Sequence, residues 1–161
     1  MDKQLEKLYQ DQIKNEWYSA YLYMSMAAWF ESANLDGFAH WMKKQAGEEY
    51  AHGQKMYDFL NDRGVRVVLQ AIAQPPADFS SHLDVFEKTL DHEKKVTGMI
   101  NAIADLSDKV NDHPSKVFIQ WFISEQVEEE KNASKLVETL KRIKPDSAGI
   151  FQLDHQLGKR E

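Results

Sequence analysis

Glu49-Tyr50-Ala51-His52 places a carboxylate and an imidazole three positions apart in a segment whose apolar residues recur at helical spacing. Residues i and i+3 of an α-helix lie on one face about one turn apart, so these two side chains can hold one metal ion between them. Three further segments carry polar residues where the surrounding pattern is apolar, and these residues are Glu16, Glu93, Gln126 and Glu129. Burying acids from four helices is costly unless a cation lies between them. The pattern therefore predicts helices around a metal site.

Glycine and proline are scarce, at 7 and 4 residues, and the long segments between them have apolar residues at a period of about 3.6. This pattern predicts helices over approximately residues 5–34, 38–63, 83–110, 114–144 and 146–157. Residues 65–81 contain Gln74-Pro75-Pro76, which cannot lie inside a helix. We interpret them as a long connection between the second and third helices, which fits an all-α bundle with one crossover.

The four acids lie near the middle of their helices, each about 40 Å long at a rise of about 1.5 Å per residue. On four aligned helices, Glu16, Glu49, Glu93 and Glu129 would meet in one layer. A single glutamate on a helix is usually solvated surface. Here, however, large apolar residues share each acid's face, and no lysine or arginine falls inward beside the acids. Tyr23 shares the face of Glu16, and its hydroxyl needs a polar partner that a carboxylate ligand would supply.

Carboxylates with one imidazole and no sulfur suit iron, manganese or zinc. A bridging carboxylate can hold two ions about 3.5–4 Å apart. Two Fe(II) ions can each give one electron to dioxygen, and this is the chemistry we favour. The remaining histidines receive no role; His92 precedes Glu93 and should turn about 100° away from the metal face, which favours a solvated side chain.

Composition excludes several classes of protein. The chain has 161 residues, enough for one domain over residues 1–161, and a net charge of −6, which argues against nucleic acid as a partner. The absence of cysteine excludes iron–sulfur clusters, thiolate zinc sites and disulfide frameworks. The N-terminus has no apolar signal-peptide core, and no run of about 18 apolar residues occurs. We therefore expect a cytoplasmic protein with no membrane partner.

Four segments carry a resemblance to a known family. They are Glu16-Trp17-Tyr18-Ser19-Ala20-Tyr21-Leu22-Tyr23, Glu48-Glu49-Tyr50-Ala51-His52, His92-Glu93 and Phe118-Ile119-Gln120-Trp121-Phe122-Ile123-Ser124-Glu125-Gln126-Val127-Glu128-Glu129-Glu130. With them, and over essentially its whole length, the chain resembles the non-haem ferritins of bacteria and archaea. The resemblance implies a ferritin-like four-helix bundle with one long crossover connection and a short fifth C-terminal helix.

The resemblance also implies ligand sets for iron. Glu16, Glu49 and His52 would hold one iron, and Glu49 would bridge to a second. The groups implied around the second iron are Glu93 and Glu129 as ligands, Gln126 beside the pair, and Tyr23 as a hydrogen-bonding tyrosine.

A third iron site is implied as well. Its residues would be Glu48, Glu125, Glu128 and Glu129. Glu48 points about 100° away from Glu49 on the helix, so it cannot serve the same central pair. A solvated acidic face is the alternative interpretation of Glu48, Glu125 and Glu128.

Family members form hollow shells of twenty-four subunits, oxidise Fe(II) with dioxygen or peroxide, and store a ferric oxyhydroxide mineral. The resemblance implies the same for this chain. Position 50 is a tyrosine where a haem-binding relative would carry a methionine ligand, so we expect no haem. The chain also has one Glu-x-x-His motif where ferritin-like di-iron sites can have two.

Two other functions compete with iron storage. A di-iron oxygenase or peroxidase that acts without mineral storage would use the same ligands. It would need a substrate pocket, and the aromatic residues that fill the middle of the bundle argue against one. A purely structural bundle would pair its inward acids with lysine or arginine, and the sequence places none there.

Overall fold

The computed structural model describes residues 1–161 and contains five α-helices and no strands. The helices are α1 (Lys3–Ser32), α2 (Asp36–Asp62), α3 (His82–Lys109), α4 (His113–Lys141) and α5 (Ala148–Leu157). α1 packs along α2, α3 packs along α4, and α1 also contacts α3, while α5 packs on α2. The predicted all-α bundle with a short fifth helix is confirmed. None of the five helices has the length and apolar character needed to span a membrane.

The helices begin and end where short polar residues and turns stop them. The side chain of Ser81 accepts the N–H of Asp84 at the start of α3, and Gly64, with a φ of +70°, follows the end of α2. The predicted limits of the five helices lie within three residues of the observed ones, and the largest difference is at the end of α4, which was predicted at residue 144 and is observed at Lys141. Pro145 explains the difference, because it disfavours helical geometry at the residue before it.

Residues 63–81 form the predicted long connection, and it has no regular secondary structure. It lies against α1 through hydrogen bonds of side chains with its backbone. Gln10 Nε2 donates to the carbonyl of Arg66 at 2.8 Å, and Gln10 Oε1 accepts the N–H of Val68 at 3.0 Å. Ser25 Oγ donates to the carbonyl of Pro76 at 2.6 Å. These contacts satisfy backbone groups that a helix or sheet would otherwise have paired.

Two apolar clusters fill the interior at the two ends of the bundle. The larger cluster has 19 buried residues, among them Phe30 and Phe86, and it includes residues of α5. The smaller cluster has 10, among them Tyr9 and Met56. Along each of the four long helices, a group of buried polar residues falls between the two clusters, whereas Ser107 of α3 and Ser115 of α4 lie beyond the smaller cluster's Ile103 and Ile119. This middle layer contains Gln12, Glu16, Ser19, Gln45, Glu49, His52, Glu93, Gln126 and Glu129.

A candidate metal centre in the middle of the bundle

Three side chains of the middle layer converge as a metal site requires. The ligand atoms of Glu16, Glu49 and His52 all lie within 4.8 Å of one another, and the three residues are buried. His52 Nδ1 is 3.5 Å from Glu49 Oε2 and 3.9 Å from Glu16 Oε2. α1 supplies Glu16, while α2 supplies Glu49 and His52 one helical turn apart. No other group of three acids and histidines in the chain is brought together this closely.

One oxygen of this group has no partner within the protein. Gln12 Nε2 donates to Glu16 Oε1 at 2.8 Å, but Glu16 Oε2 is buried and accepts no hydrogen bond. No lysine or arginine forms an ion pair with Glu16, Glu49, Glu93 or Glu129. A buried carboxylate oxygen without a donor or cation is costly. Two carboxylates and one imidazole therefore fit a divalent metal ion that accepts oxygen and nitrogen ligands.

The other acids of the middle layer are hydrogen-bonded. The hydroxyl of Tyr23 donates to Glu93 Oε1, and Gln126 Nε2 lies 3.3 Å from Glu93 Oε2. Gln45 Nε2 donates to Glu129 Oε2 at 2.8 Å. Neutral donors from three helices thus hold Glu93 and Glu129 in place while leaving their charge uncompensated.

Burial and mutual repulsion raise the pKa values of all four acids. Burial is the larger cause for Glu16 and Glu49, and it raises both pKa values well above the usual range. The charge of Glu49 adds to the effect on Glu16, and the charges of Glu93 and Glu129 add to the effect on Glu49. Burial and the charge of Glu93 raise the pKa of Glu129 to about 7, although the hydrogen bond from Gln45 opposes the shift. Burial also raises the pKa of Glu93, against hydrogen bonds from Tyr23 and Gln126.

Aromatic side chains enclose the site and hold α1 close to α2. The ring of His52 packs against Trp121 and Phe122, with centroids 5.4 and 6.0 Å away. Trp17 Nε1 donates to the carbonyl of Tyr50 at 3.3 Å. Gly53 makes this approach possible, since a Cβ there would lie 2.4 Å from Trp17 Nε1. A side chain at position 53 would displace the indole of Trp17 and break its hydrogen bond to Tyr50.

The acids predicted for a third iron lie outside the buried group. Glu48 is half-exposed and forms an ion pair with Arg160, with Nη2 and Oε2 2.6 Å apart. Glu125 is partly buried and Glu128 is exposed. These three residues therefore remain a prediction that the arrangement of side chains does not support by itself.

Sequence reasoning was wrong about His92. The side chain is not solvated, because its ring packs against Tyr18 and Tyr23 and its Nε2 lies 2.7 Å from Ser19 Oγ. Burial, with a smaller contribution from the charge of Lys95, lowers the pKa of His92 to about 4. The imidazole is consequently neutral near pH 7 and packs against the ring of Tyr23.

Two residues with a clear role in the layer received none from the sequence. Gln12 and Gln45 are the donors to Glu16 and Glu129, and both are buried. A signal was present, because each glutamine lies on the same helical face as the apolar residues, four positions before Glu16 or Glu49. A buried glutamine one turn from a buried acid is well placed to donate to a carboxylate.

The chain is similar to proteins of one family over nearly its whole length. Residues 6–143 match the family model described as a ferritin-like domain. The bacterial non-heme ferritin of Staphylococcus aureus (strain USA300) is 36% identical over 160 residues, which cover 99% of this chain and 96% of the relative. The Staphylococcus saprophyticus protein of the same name is 38% identical over 160 residues.

A solved structure extends the comparison to the fold. An open pore ferritin from the hyperthermophilic archaeon Archaeoglobus fulgidus superimposes with a TM-score of 0.98 at 40% identity. The match covers 100% of this chain and 99% of the other. Sequence and backbone therefore agree with the same group of proteins from end to end.

Proposed function

The chain belongs to the ferritin family, and from that premise we propose that it stores iron as a ferric mineral. It would oxidise Fe(II) to Fe(III) in the middle layer of the bundle and keep the product as ferric oxyhydroxide inside a hollow shell of identical chains. The resemblance drawn from the four sequence segments is confirmed at the level of the family. Oxidation and mineral storage are our proposal for this chain.

The observation that carries the proposal is the unpartnered oxygen of Glu16 beside Glu49 and His52. We assign the first Fe(II) to these three residues. The charges of Glu93 and Glu129 both contribute to the raised pKa of Glu49, which supports a position for Glu49 between two iron sites. Glu93 and Glu129 would complete the second site.

Tyr23 and Gln126 would act on the second site by holding Glu93. Both donate to its carboxylate, from α1 and α4 respectively. Glu48, Glu125 and Glu128 would contribute to a third iron site together with Glu129. Only the ion pair between Glu48 and Arg160 bears on that assignment, and it places a competing cation there.

Proton release accompanies iron binding in this proposal. Acids with raised pKa values hold protons in the metal-free protein, and Fe(II) displaces them because a metal binds the ionised carboxylate. Two Fe(II) ions supply two electrons, which with two protons reduce one dioxygen to hydrogen peroxide. The residues keep the two ions close together and away from bulk water, while dioxygen or peroxide serves as the oxidant.

Exposed apolar residues support the assembly of a shell. Tyr21, Met24 and Tyr50 are 53%, 46% and 57% exposed on neighbouring parts of α1 and α2. The connection adds Val68 and Leu69, which are 60% and 65% exposed. Apolar surface of this kind is typical of an interface between subunits. Twenty-four chains of 18.7 kDa would give a particle of about 450 kDa, in a closed symmetry typical of oligomers.

Aerobic addition of Fe(II) to the metal-free protein tests the proposal. We expect two irons per chain to be oxidised rapidly, followed by a large ferric load that remains in solution. Light scattering should give a particle of about 450 kDa, and purified protein should show no Soret absorbance, since position 50 lacks the methionine that a haem-binding relative would use as a ligand. Oxidation that stops at two irons would indicate an oxygenase, and no iron binding would indicate a structural bundle.

A further inference from the structure

The C-terminal segment is built tightly onto the start of α2. Asp154 Oδ1 accepts the N–H of Phe38 at 2.9 Å. A Cβ at Gly37 would lie 1.7 Å from the carbonyl oxygen of Asp154, so only glycine lets α5 approach this closely. A Cβ at Gly158 would lie 3.4 Å from the Cα of Gly37, so α5 and α2 also pack closely at this position. This contact fixes the direction in which residues 158–161 leave α5, and it carries them along α2 towards the middle layer.

Arg160 makes most of the contacts at the end of this segment. Its Nη2 donates to Glu48 Oε2 at 2.6 Å, and its guanidinium lies over the ring of Trp41, 4.8 Å from the centroid. The backbone oxygen of Arg160 lies 2.7 Å from His40 Nε2. An ion pair, a cation–π contact and a backbone contact therefore hold a residue that is second from the end of the chain.

Glu48 is the charged neighbour of the buried acids. It precedes Glu49 in α2, and its charge adds to the causes that raise the pKa values of Glu49 and Glu129. Its side chain keeps 42% of its surface exposed, and that of Arg160 keeps 23%. An ion pair this exposed is weak enough to exchange with another cation. A cavity of about 250 Å³ lined by Trp41, Lys135 and Arg160 leaves the guanidinium room to move.

We propose that Arg160 is the resident cation of Glu48, and that a metal ion moving towards the buried acids displaces it from Glu48 and weakens the attachment of residues 158–161 to α2. The C-terminal segment then works as a latch that responds to cations beside the metal centre. The idea deepens the proposed function, on which its biological meaning rests. Its chemistry requires only a cation, a carboxylate and a guanidinium that competes with the cation.

Terbium(III) tests the competition without any redox chemistry, because it prefers carboxylate oxygen and its luminescence is sensitised by nearby tryptophan. Titration of the assembled, metal-free protein should show Arg160→Gln binding terbium about twofold to fivefold more tightly than wild type, the range for loss of one exposed ion pair. Arg160→Lys, which keeps the charge, should stay near wild type. Lys159→Gln removes the same charge from the adjacent exposed residue and should change nothing.

A combined variant ties the effect to Glu48. In a Glu48→Gln background, Arg160→Gln should no longer alter terbium binding, because the contested carboxylate is gone. Equal affinities for Arg160→Gln, Lys159→Gln and wild type would overturn the proposal. An increase for Arg160→Gln that persists with Glu48→Gln would overturn it as well, since the guanidinium would then act elsewhere.

Release of the latch has its own readout. Trypsin cuts after arginine only when the side chain is free, so in a Lys159→Gln background, which removes the neighbouring cleavage site, loss of Glu161 measured by intact-mass spectrometry reports on the Arg160 contact. Terbium should speed this removal several-fold in this background, and Glu48→Gln should speed it without terbium. A free peptide of residues 154–161 with the same substitution at position 159 should be cut at the same rate with and without terbium. If neither terbium nor Glu48→Gln changes the rate at which Glu161 is removed from the protein, the latch is refuted.

The outcome is independent of iron oxidation. If the protein fails to oxidise Fe(II) but Arg160→Gln still tightens terbium binding, the proposed function is wrong and the latch is supported. If the protein oxidises and stores iron but Arg160→Gln leaves terbium binding unchanged, the proposed function is supported and the latch is overturned.

Discussion

The two ends of the bundle and its middle layer are all buried, but the ends are apolar and the middle layer is acidic. At the ends, 19 and 10 apolar residues pack against one another. In the middle, four glutamates are at most 5% exposed, and no lysine or arginine is paired with them. Burial of apolar surface stabilises a fold, whereas burial of unpaired acids destabilises it. The ends therefore stabilise a layer that would be unfavourable without a cation.

The middle layer itself has two unlike halves. Glu93 and Glu129 together receive three side-chain hydrogen bonds, from Tyr23, Gln126 and Gln45, whereas Glu16 and Glu49 together receive one, from Gln12. Hydrogen bonds from neutral donors fix a carboxylate in one orientation before metal binds. The Glu16 half depends more on the metal for its order, and the Glu93 half depends more on the protein.

The largest expected effect is a difference in unfolding free energy between a substitution at one end of the bundle and a substitution in the middle layer. Phe86 is fully buried in the larger cluster against Phe38 and Trp41. Phe86→Ala should lower the free energy of unfolding of the metal-free protein by about 3–5 kcal/mol, because it leaves a cavity. Glu93→Gln should leave that free energy unchanged or raise it, because it removes a repelling charge.

Urea denaturation of the two metal-free variants measures this contrast. Phe86→Leu serves as the control that keeps most of the apolar volume, and it should lose less than Phe86→Ala. A large destabilisation by Glu93→Gln would contradict the comparison, since it would mean that the carboxylate serves as a structural ion-pair partner.

The second effect tests the proposed bridge between the two halves. Glu49→Ala should slow the rapid phase of Fe(II) oxidation on the order of 100-fold or more, at about 1.4 kcal/mol per tenfold, while the particle keeps its size. Glu87→Ala is the matched control, because Glu87 is an exposed glutamate on α3. Stopped-flow absorbance after mixing with Fe(II) and oxygen gives both rates. An unchanged rapid phase in Glu49→Ala would remove this residue from the site.

The third effect follows from the pKa of Glu129, which is about 7 in the folded protein against a usual value of 4.5. A raised pKa means that the folded state holds a proton that the unfolded state has released. The stabilising contribution is therefore present below about pH 4.5 and is lost as pH rises to about 7, on the order of 3 kcal/mol.

Urea denaturation of the metal-free protein at pH 5 and at pH 7.5 checks this dependence. Wild type should be less stable at pH 7.5, and Glu129→Gln should lose part of the difference because it carries no proton to release. Glu87→Gln, which removes an exposed charge, should keep the wild-type difference. A wild-type stability that rises across this range would contradict the assigned shift.

Sequence alone was sufficient to predict the helices and the inward acids, for one physical reason. Both depend on local periodicity, since Glu16, Glu49 and Glu129 lie on helical faces whose other members are apolar. All three are buried in the structure. The end of α4 was predicted about three residues too late, because the pattern of apolar residues continues beyond Lys141 although the residues before Pro145 cannot stay helical.

Contacts between distant residues could not be predicted in this way. Ser19 and His92 are 73 positions apart, and Glu48 and Arg160 are 112 apart. No period in the sequence connects such residues, since their meeting depends on how whole helices pack. His92 was therefore predicted to be solvated, and Arg160 received no role at all.

The smallest expected effect lies within the middle layer, at Tyr23. Its hydroxyl donates to Glu93 Oε1, and its ring meets the edge of His92 at a centroid distance of 6.0 Å. Tyr23→Phe keeps the ring and removes the donor. The carboxylate of Glu93 then loses a hydrogen bond in a buried place, so the metal-free protein should lose about 1 kcal/mol. The rapid oxidation phase should slow by about tenfold, the low end of the range for partners that orient a metal ligand.

Tyr50→Phe is the control for this last effect, because it removes the same hydroxyl from an exposed ring and keeps the apolar surface proposed for the subunit interface. It should change unfolding free energy by less than about 0.5 kcal/mol, as surface substitutions do. Urea denaturation and stopped-flow absorbance of both variants give the comparison. If Tyr23→Phe matches Tyr50→Phe in both measurements, Glu93 is not held by the protein, and the two halves of the layer do not differ in the way that their hydrogen bonds indicate.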